Sequence, residues 1–248
     1  MRKYLFGVLL SILGVLTAIY FFVGVPKVLE TKSPVPSIPH VYGDAGQSLE
    51  KIDLAAFYFV PKDRTEFEID NWSEVIDENL RKLQAFHQLQ FLGKSNIEYR
   101  VYPEPIIGYS DHLAYDTLSR ITAELEDRVL TPGGDAYRLE FARVPEGAYR
   151  AIMIIYEGVG HTGEENASLL AREFLTNEEY RLFAATFLAH EFYHTLGLQD
   201  RYSDQDKEFS DGQQATKEVL QSTDIMARIR VPIEHTYLER ETLKQLGV

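Results

Sequence analysis

Two histidines four residues apart, with a glutamate directly after the first, stand in the run AHEFYHTLGLQD at residues 189–200. In a helix, positions i and i+4 share a face, so His190 and His194 point the same way, offset by about 6 Å along the axis. Two imidazoles so placed can each give a nitrogen to one zinc ion at about 2.0–2.1 Å. Glu191 lies about 100° round the helix. That is too far round to join the same ligand set easily, but close enough to touch a water on the metal. A glutamate there can take a proton from that water and return it to a leaving amine. Gly197 permits a left-handed turn that sends the chain back toward the metal, where Asp200 is available as the third ligand. Three protein ligands plus a water is the open geometry of a catalytic zinc, whereas structural sites are closed by four.

These residues need a helix to hold them, and TNEEYRLFAATFLAHEFYHTLG predicts one over 176–196. Thr176 and Glu179 form a capping-box pattern, and Gly197 ends the helix. Residues 182–196 are apolar on nearly every side, which marks a buried helix. Two imidazoles and a carboxylate inside it require partners, because each unpaired polar group costs several kcal/mol.

The run His190-Glu191-x-x-His194-x-x-Gly197-x-x-Asp200 resembles the metzincin zinc metallopeptidases; its final aspartate resembles the snapalysin-like branch, and GLQDRYSD at 197–204 is similar to the immune-inhibitor-A peptidases. STDIMAR at 222–228 resembles the family's Met-turn, with Met226 as the apolar floor of the zinc site. The resemblance implies one Zn(2+) per chain, Glu191 as the general base and a protein or peptide substrate. It also implies an α+β fold with a twisted mixed sheet, an active-site helix, the Met-turn and a C-terminal helix. Arg228 stands where several members carry a tyrosine that steadies the transition state; Tyr202 is the candidate substitute. VYGDAG at 41–46 resembles the F-x-G-D segment of astacin-type propeptides, making Asp44 a candidate latency residue on the zinc, against a plain Gly-Asp turn.

The remaining elements are read from periodicity. IDLAAFYFV (52–60) is a short apolar strand. The segment 71–93 is a helix with Asn71 and Glu74 at its start. Trp72, Ile76, Leu80, Leu83 and His87 share one face, which makes His87 a core histidine rather than a ligand. IEYRVYP (97–103) alternates like a strand, and strand–helix–strand suggests a right-handed parallel crossover. A second helix is predicted at 111–130 with Ala114, Leu118, Ile121 and Leu125 on one stripe. AYRLEFARV and YRAIMIIYEG read as two strands of a hairpin. The segment 158–175 is a glycine-rich loop with room for one edge strand. It holds His161, a solvated loop residue or a substrate contact. HTYLERETLKQLG (235–247) is the last helix.

Of the 248 residues, 45% are hydrophobic, enough for one well-filled core and thin for two, so a single globular domain is expected over 48–248. A formal net charge of −13 disfavours nucleic acid as a partner. With no cysteine there is neither a disulfide framework nor a thiolate site. Residues 4–25 carry no charge and follow Arg2 and Lys3. As a helix they would span about 33 Å. That predicts a signal-anchor transmembrane helix over 1–25, in contact with the lipid bilayer through 4–25. The N-terminus would be cytoplasmic and the catalytic domain extracytoplasmic, or secreted if the segment is cleaved. Residues 26–47, with four prolines, read as a linker, and the acidic run 203–212 as a solvated loop. The leading expectation is a membrane-anchored zinc endopeptidase. An inactive metzincin-like binding protein is the alternative, and an intramembrane protease fits the charged start of the 176–196 helix poorly.

Overall fold

The computed structural model describes residues 37–201, 223–227 and 229–248. The expected anchor at 1–25, Tyr202, the acidic run and Arg228 lie outside the described residues. The chain divides into Met1–Ser37 and Ile38–Val248, and the account below concerns the second unit.

One mixed sheet organises it. In spatial order it comprises β4 (Asn96–Val101), β3 (Lys51–Val60), β6 (Tyr149–Tyr156), β8 (Ala167–Ala171) and β7 (His161–Glu164), with β5 (Ile106–Ile107) also paired to β3. All neighbours are parallel except β7, which runs antiparallel to β8 at the edge. The strand read at 52–60 is thus a central one. It is apolar throughout because both of its faces are covered. Leu54, Ala56 and Tyr58 face one core with helix α1 (Trp72–Gln90), while Ala55, Phe57 and Phe59 face a second core built from residues 102–141 and β6. The expected stripe of α1 is buried as read, and β3–α1–β4 is a parallel crossover.

Several expected elements differ. The helix predicted at 111–130 is broken. A 3-10 turn at His112–Ala114 precedes α2 (Leu118–Leu125), and a π-helical turn follows at Glu126–Leu130. Leu118, Ile121 and Leu125 form the buried stripe, but Ala114 does not join it. Tyr115 turns inward instead, edge-on to Phe59 with ring centroids 4.9 Å apart. The predicted strand at 136–144 is a short helix, α3 (Leu139–Ala142), and there is no hairpin with β6. Both edges of β6 are taken by β3 and β8, and only Phe141 of the apparent alternation is buried. The loop at 158–175 carries two strands, β7 and β8, rather than one.

The packed unit also starts earlier than residue 48. Within the expected linker, β1 (His40–Val41) and β2 (Asp44–Ser48) form a hairpin whose Val41 is buried. Its backbone bonds to the C-terminal segment and to the residue after the histidine-bearing helix: His40 N–H donates to Leu246 O and Tyr42 N–H to Leu196 O, each at 3.0 Å. The last helix, α6 (Arg240–Gln245), is shorter than read, because Tyr237 is drawn into an extended pairing with Asp224. Among the described residues no helix is long and apolar enough to cross a membrane.

Candidate metal centre

The helix that carries the histidines, α5 (Ala184–Thr195), is shorter at its start than the sequence implies. Thr176 does not cap it. Its hydroxyl is held by Arg172, accepting from the guanidinium at 3.0 Å and donating to the Arg172 carbonyl at 3.2 Å, at the end of α4 (Glu173–Thr176). The chain between α4 and α5 is gathered by an aromatic cluster, with Phe174 against Phe187 at 4.8 Å and against Tyr180 at 5.2 Å. Once formed, α5 packs on α1, β7 and β8, and every residue of it except His194 is buried.

Two carbonyls fix the imidazoles. His190 Nδ1 lies 2.9 Å from Ile225 O, and His194 Nδ1 lies 2.8 Å from Leu198 O. A carbonyl only accepts, so both rings carry a proton on Nδ1 and turn Nε2 toward each other and toward Asp200. The two Nε2 atoms are 3.2 Å apart. Asp200 Oδ1 completes the triangle, 3.1 Å from His190 Nε2 and 3.2 Å from His194 Nε2. Among the described residues no hydrogen-bond donor is aligned with that buried oxygen.

Two imidazole nitrogens and a carboxylate oxygen meet within 3.2 Å of one another, an arrangement whose lone pairs repel unless protons or a cation offset them. Protons can take that part. Burial alone would lower the His194 pKa, but Asp200 and the other partners outweigh it and the pKa is raised. Burial alone would raise the Asp200 pKa, yet the two imidazoles hold its carboxyl well below the usual carboxylate range. A metal ion serves better, since ligands at about 2.0–2.1 Å in tetrahedral array lie about 3.4 Å apart.

His190, Glu191 and His194 also form a group that could hold a metal ion, all within 4.8 Å of one another. Glu191 is the less fitting third member. Its Oε1 is 4.0 Å from His190 Nε2, against 3.1 Å for Asp200 Oδ1. The cluster therefore fits a metal held by His190, His194 and Asp200, with Glu191 one step outside.

Glu191 is buried, and only one of its oxygens is occupied. His161 Nδ1 lies 2.6 Å from Oε1, while Oε2 has no hydrogen-bond partner among the described residues. The bond to Glu191 raises the His161 pKa against the opposing effect of burial. The loop position read for His161 is the first residue of the edge strand. Two residues along the same strand, Gly163 leaves no room for a side chain, because a Cβ there would come within 2.7 Å of Glu191 O and closer still to His194 Cβ. The sheet thus lies directly on the helix turn that carries the site.

Beyond α5, Gly197 has φ +87°, and a Cβ would stand 2.8 Å from Tyr42 O. The left-handed turn and the closeness of the hairpin both require glycine here. Met226 is fully buried, and its carbonyl accepts from Arg201 N–H at 2.9 Å. Asp224 anchors this turn. Its Oδ1 accepts from Met226 N–H at 2.8 Å, and its Oδ2 from Arg201, Glu239 N–H and the Thr242 hydroxyl at 2.9–3.0 Å. Sequence reading missed Asp224 and Gly163. Their only signal was position, two residues before Met226 and within the glycine-rich stretch before α5.

Asp44 lies apart from this cluster in its contacts. Its Oδ1 accepts from Gly46 N–H at 2.9 Å in an exposed local turn. Tyr42, not Asp44, is the hairpin residue that meets the end of α5.

No protein-family model matches the chain, and no curated protein matches it.

Proposed function

We propose that the chain is a zinc-dependent endopeptidase of the metzincin kind, tethered to a membrane by residues 4–25 with residues 38–248 outside the cytoplasm. The observation that carries the reading is the convergence of His190 Nε2, His194 Nε2 and Asp200 Oδ1, with a Glu191 oxygen beside them that no described residue engages. When bound, zinc supplies Lewis acidity for a carbonyl and makes water a stronger acid at neutral pH.

The chain's own groups do the rest. Ile225 O and Leu198 O hold the two rings so that their Nε2 lone pairs stay aimed at one point. Glu191 Oε2 accepts the proton of the attacking water and passes it to the departing amine nitrogen. The antiparallel edge strand β7 runs directly before this carboxylate, and among the described residues only β8 pairs with it. An extended peptide added along such an edge gains main-chain hydrogen bonds without regard to side chain, which favours a peptide substrate over a small molecule.

The test is a peptide-library digest by purified protein with elemental analysis of its metal. One zinc per chain is expected, with cleavage abolished by a chelator and restored by zinc. E191Q should keep the metal and lose about 10²–10⁴-fold in kcat. Metal-loaded protein that cleaves no library member, or E191Q within tenfold of wild type, overturns the reading.

A further inference from the structure

We propose that His161 is a positioning residue. It donates Nδ1–H to Glu191 Oε1, which leaves Oε2 as the only oxygen able to take the proton and keeps the carboxylate from swinging onto the metal as a fourth protein ligand. The inference deepens the peptidase reading and rests on it for its kinetic arm; its spectroscopic arm stands without it.

The geometry is specific. His161 Nδ1 reaches Glu191 Oε1 at 2.6 Å from a different element, thirty positions away in sequence. An ionised carboxylate only accepts, so Nδ1 must be the donor whatever the charge of the ring. The ring is set by its neighbours: Phe174 stands edge-on at 5.2 Å and Phe187 at 6.4 Å between centroids. Nε2 has no partner among the described residues, so Glu191 is what the ring's polar edge is placed for.

Glu191 for its part has two equivalent oxygens and lies close enough to be a ligand. Freed of His161, the side chain gains the torsion needed to close the 4.0 Å gap to the His190 Nε2 corner of the cluster. It would then occupy the position that water needs. The hydrogen bond separates the roles of two carboxylates, since Asp200 binds and Glu191 stays free. Partners of this kind are typically worth about 10- to 100-fold in activity or metal affinity.

Isosteric substitution identifies the nitrogen that matters. An asparagine Nδ2 stands two bonds from Cβ, as His Nδ1 does. A glutamine Nε2 stands three bonds away, as His Nε2 does. H161F and H161Q should lower kcat by about 10- to 100-fold with KM changed by less than about threefold, and H161N should recover most of the loss. In protein loaded with Co(II), the visible d–d absorption should change in H161F, as Glu191 joins the ion. It should stay close to wild type in H161N, and in the double variant H161F/E191Q it should match E191Q alone.

Rescue by glutamine rather than asparagine would place the role at Nε2 and on the substrate, and overturn the proposal. So would wild-type kcat in H161F, or a fall in kcat with an unaltered Co(II) spectrum. If the wild-type chain cleaves no peptide, the peptidase reading fails, and the spectra of the H161F, H161N and double variants still decide whether His161 holds Glu191 off the metal. If H161F does not fold, the H161N and H161Q pair carries the same comparison.

Discussion

His87 ties the pH dependence of stability to the helix that carries the metal cluster. It is fully buried on α1, stacked on Phe91 at 4.1 Å. Its Nε2 lies 2.7 Å from Ser95 Oγ, and because the Ser95 hydroxyl donates to Leu49 O, the histidine must be the donor. Nδ1 is then the acceptor, facing the Tyr193 hydroxyl of α5 at 3.3 Å. This is a pocket for neutral imidazole, and burial pushes the His87 pKa down to about 3 from its ordinary 6.5. A depressed histidine costs nothing above the unfolded value, where both states are neutral. As pH falls below about 6.5 only the unfolded chain takes the proton, so stability is lost progressively until the folded value near 3 is reached. At about pH 5 the loss is RT ln(1 + 10^1.5), about 2 kcal/mol, and at about pH 7.5 it is under about 0.1 kcal/mol. H87Q does not titrate, and its amide can still donate toward Ser95. Urea unfolding of both proteins in chelator, followed through the fluorescence of the single tryptophan, Trp72, measures the effect. Every group other than residue 87 is common to the two proteins and cancels in the comparison. Whatever offset separates the two at about pH 7.5, it should shift by about 2 kcal/mol in favour of H87Q at about pH 5. A shift under about 0.5 kcal/mol would refute the assignment of a neutral buried His87.

D200A should bind zinc weakly, while D200H should retain one equivalent by elemental analysis; equal occupancy in D200A and wild type would remove Asp200 from the ligand set. G163A should lower kcat through displacement of α5, because its added methyl meets the Glu191 carbonyl and the His194 side chain, and wild-type kinetics would show that the strand can give way. Removal of residues 1–47 should destabilise the domain by about 2 kcal/mol or more in urea unfolding, from the loss of buried Val41 and of the hairpin's bonds to Leu196 and Leu246. D44A in the full chain should leave peptidase activity unchanged, since Asp44 is engaged in its own turn with Gly46; a rise in activity would restore it as a latency residue.

Sequence alone determined the parts that depend on local spacing. The i, i+4 pair at His190 and His194 requires nothing beyond helix geometry, and the stripe from Trp72 to His87 follows from the same period. Gly197 and Asp200 were legible because a left-handed residue at a fixed offset returns the chain to the helix face. The apolar run of β3 announced a buried strand, though not that it lies at the centre of a sheet with a core on each side. Tertiary structure decided whatever depends on partners distant in sequence. The alternation around Phe141 looked like a strand, but β6 had no free edge to receive it. Thr176 looked like a cap, but Arg172 held its hydroxyl. The polar partners that a buried His190 and Glu191 demanded could be foreseen as a need. That Ile225 O and His161 Nδ1 would supply them could not, because they arrive from a turn 35 residues onward and a strand 30 residues back, and spacing at that range fixes no distance.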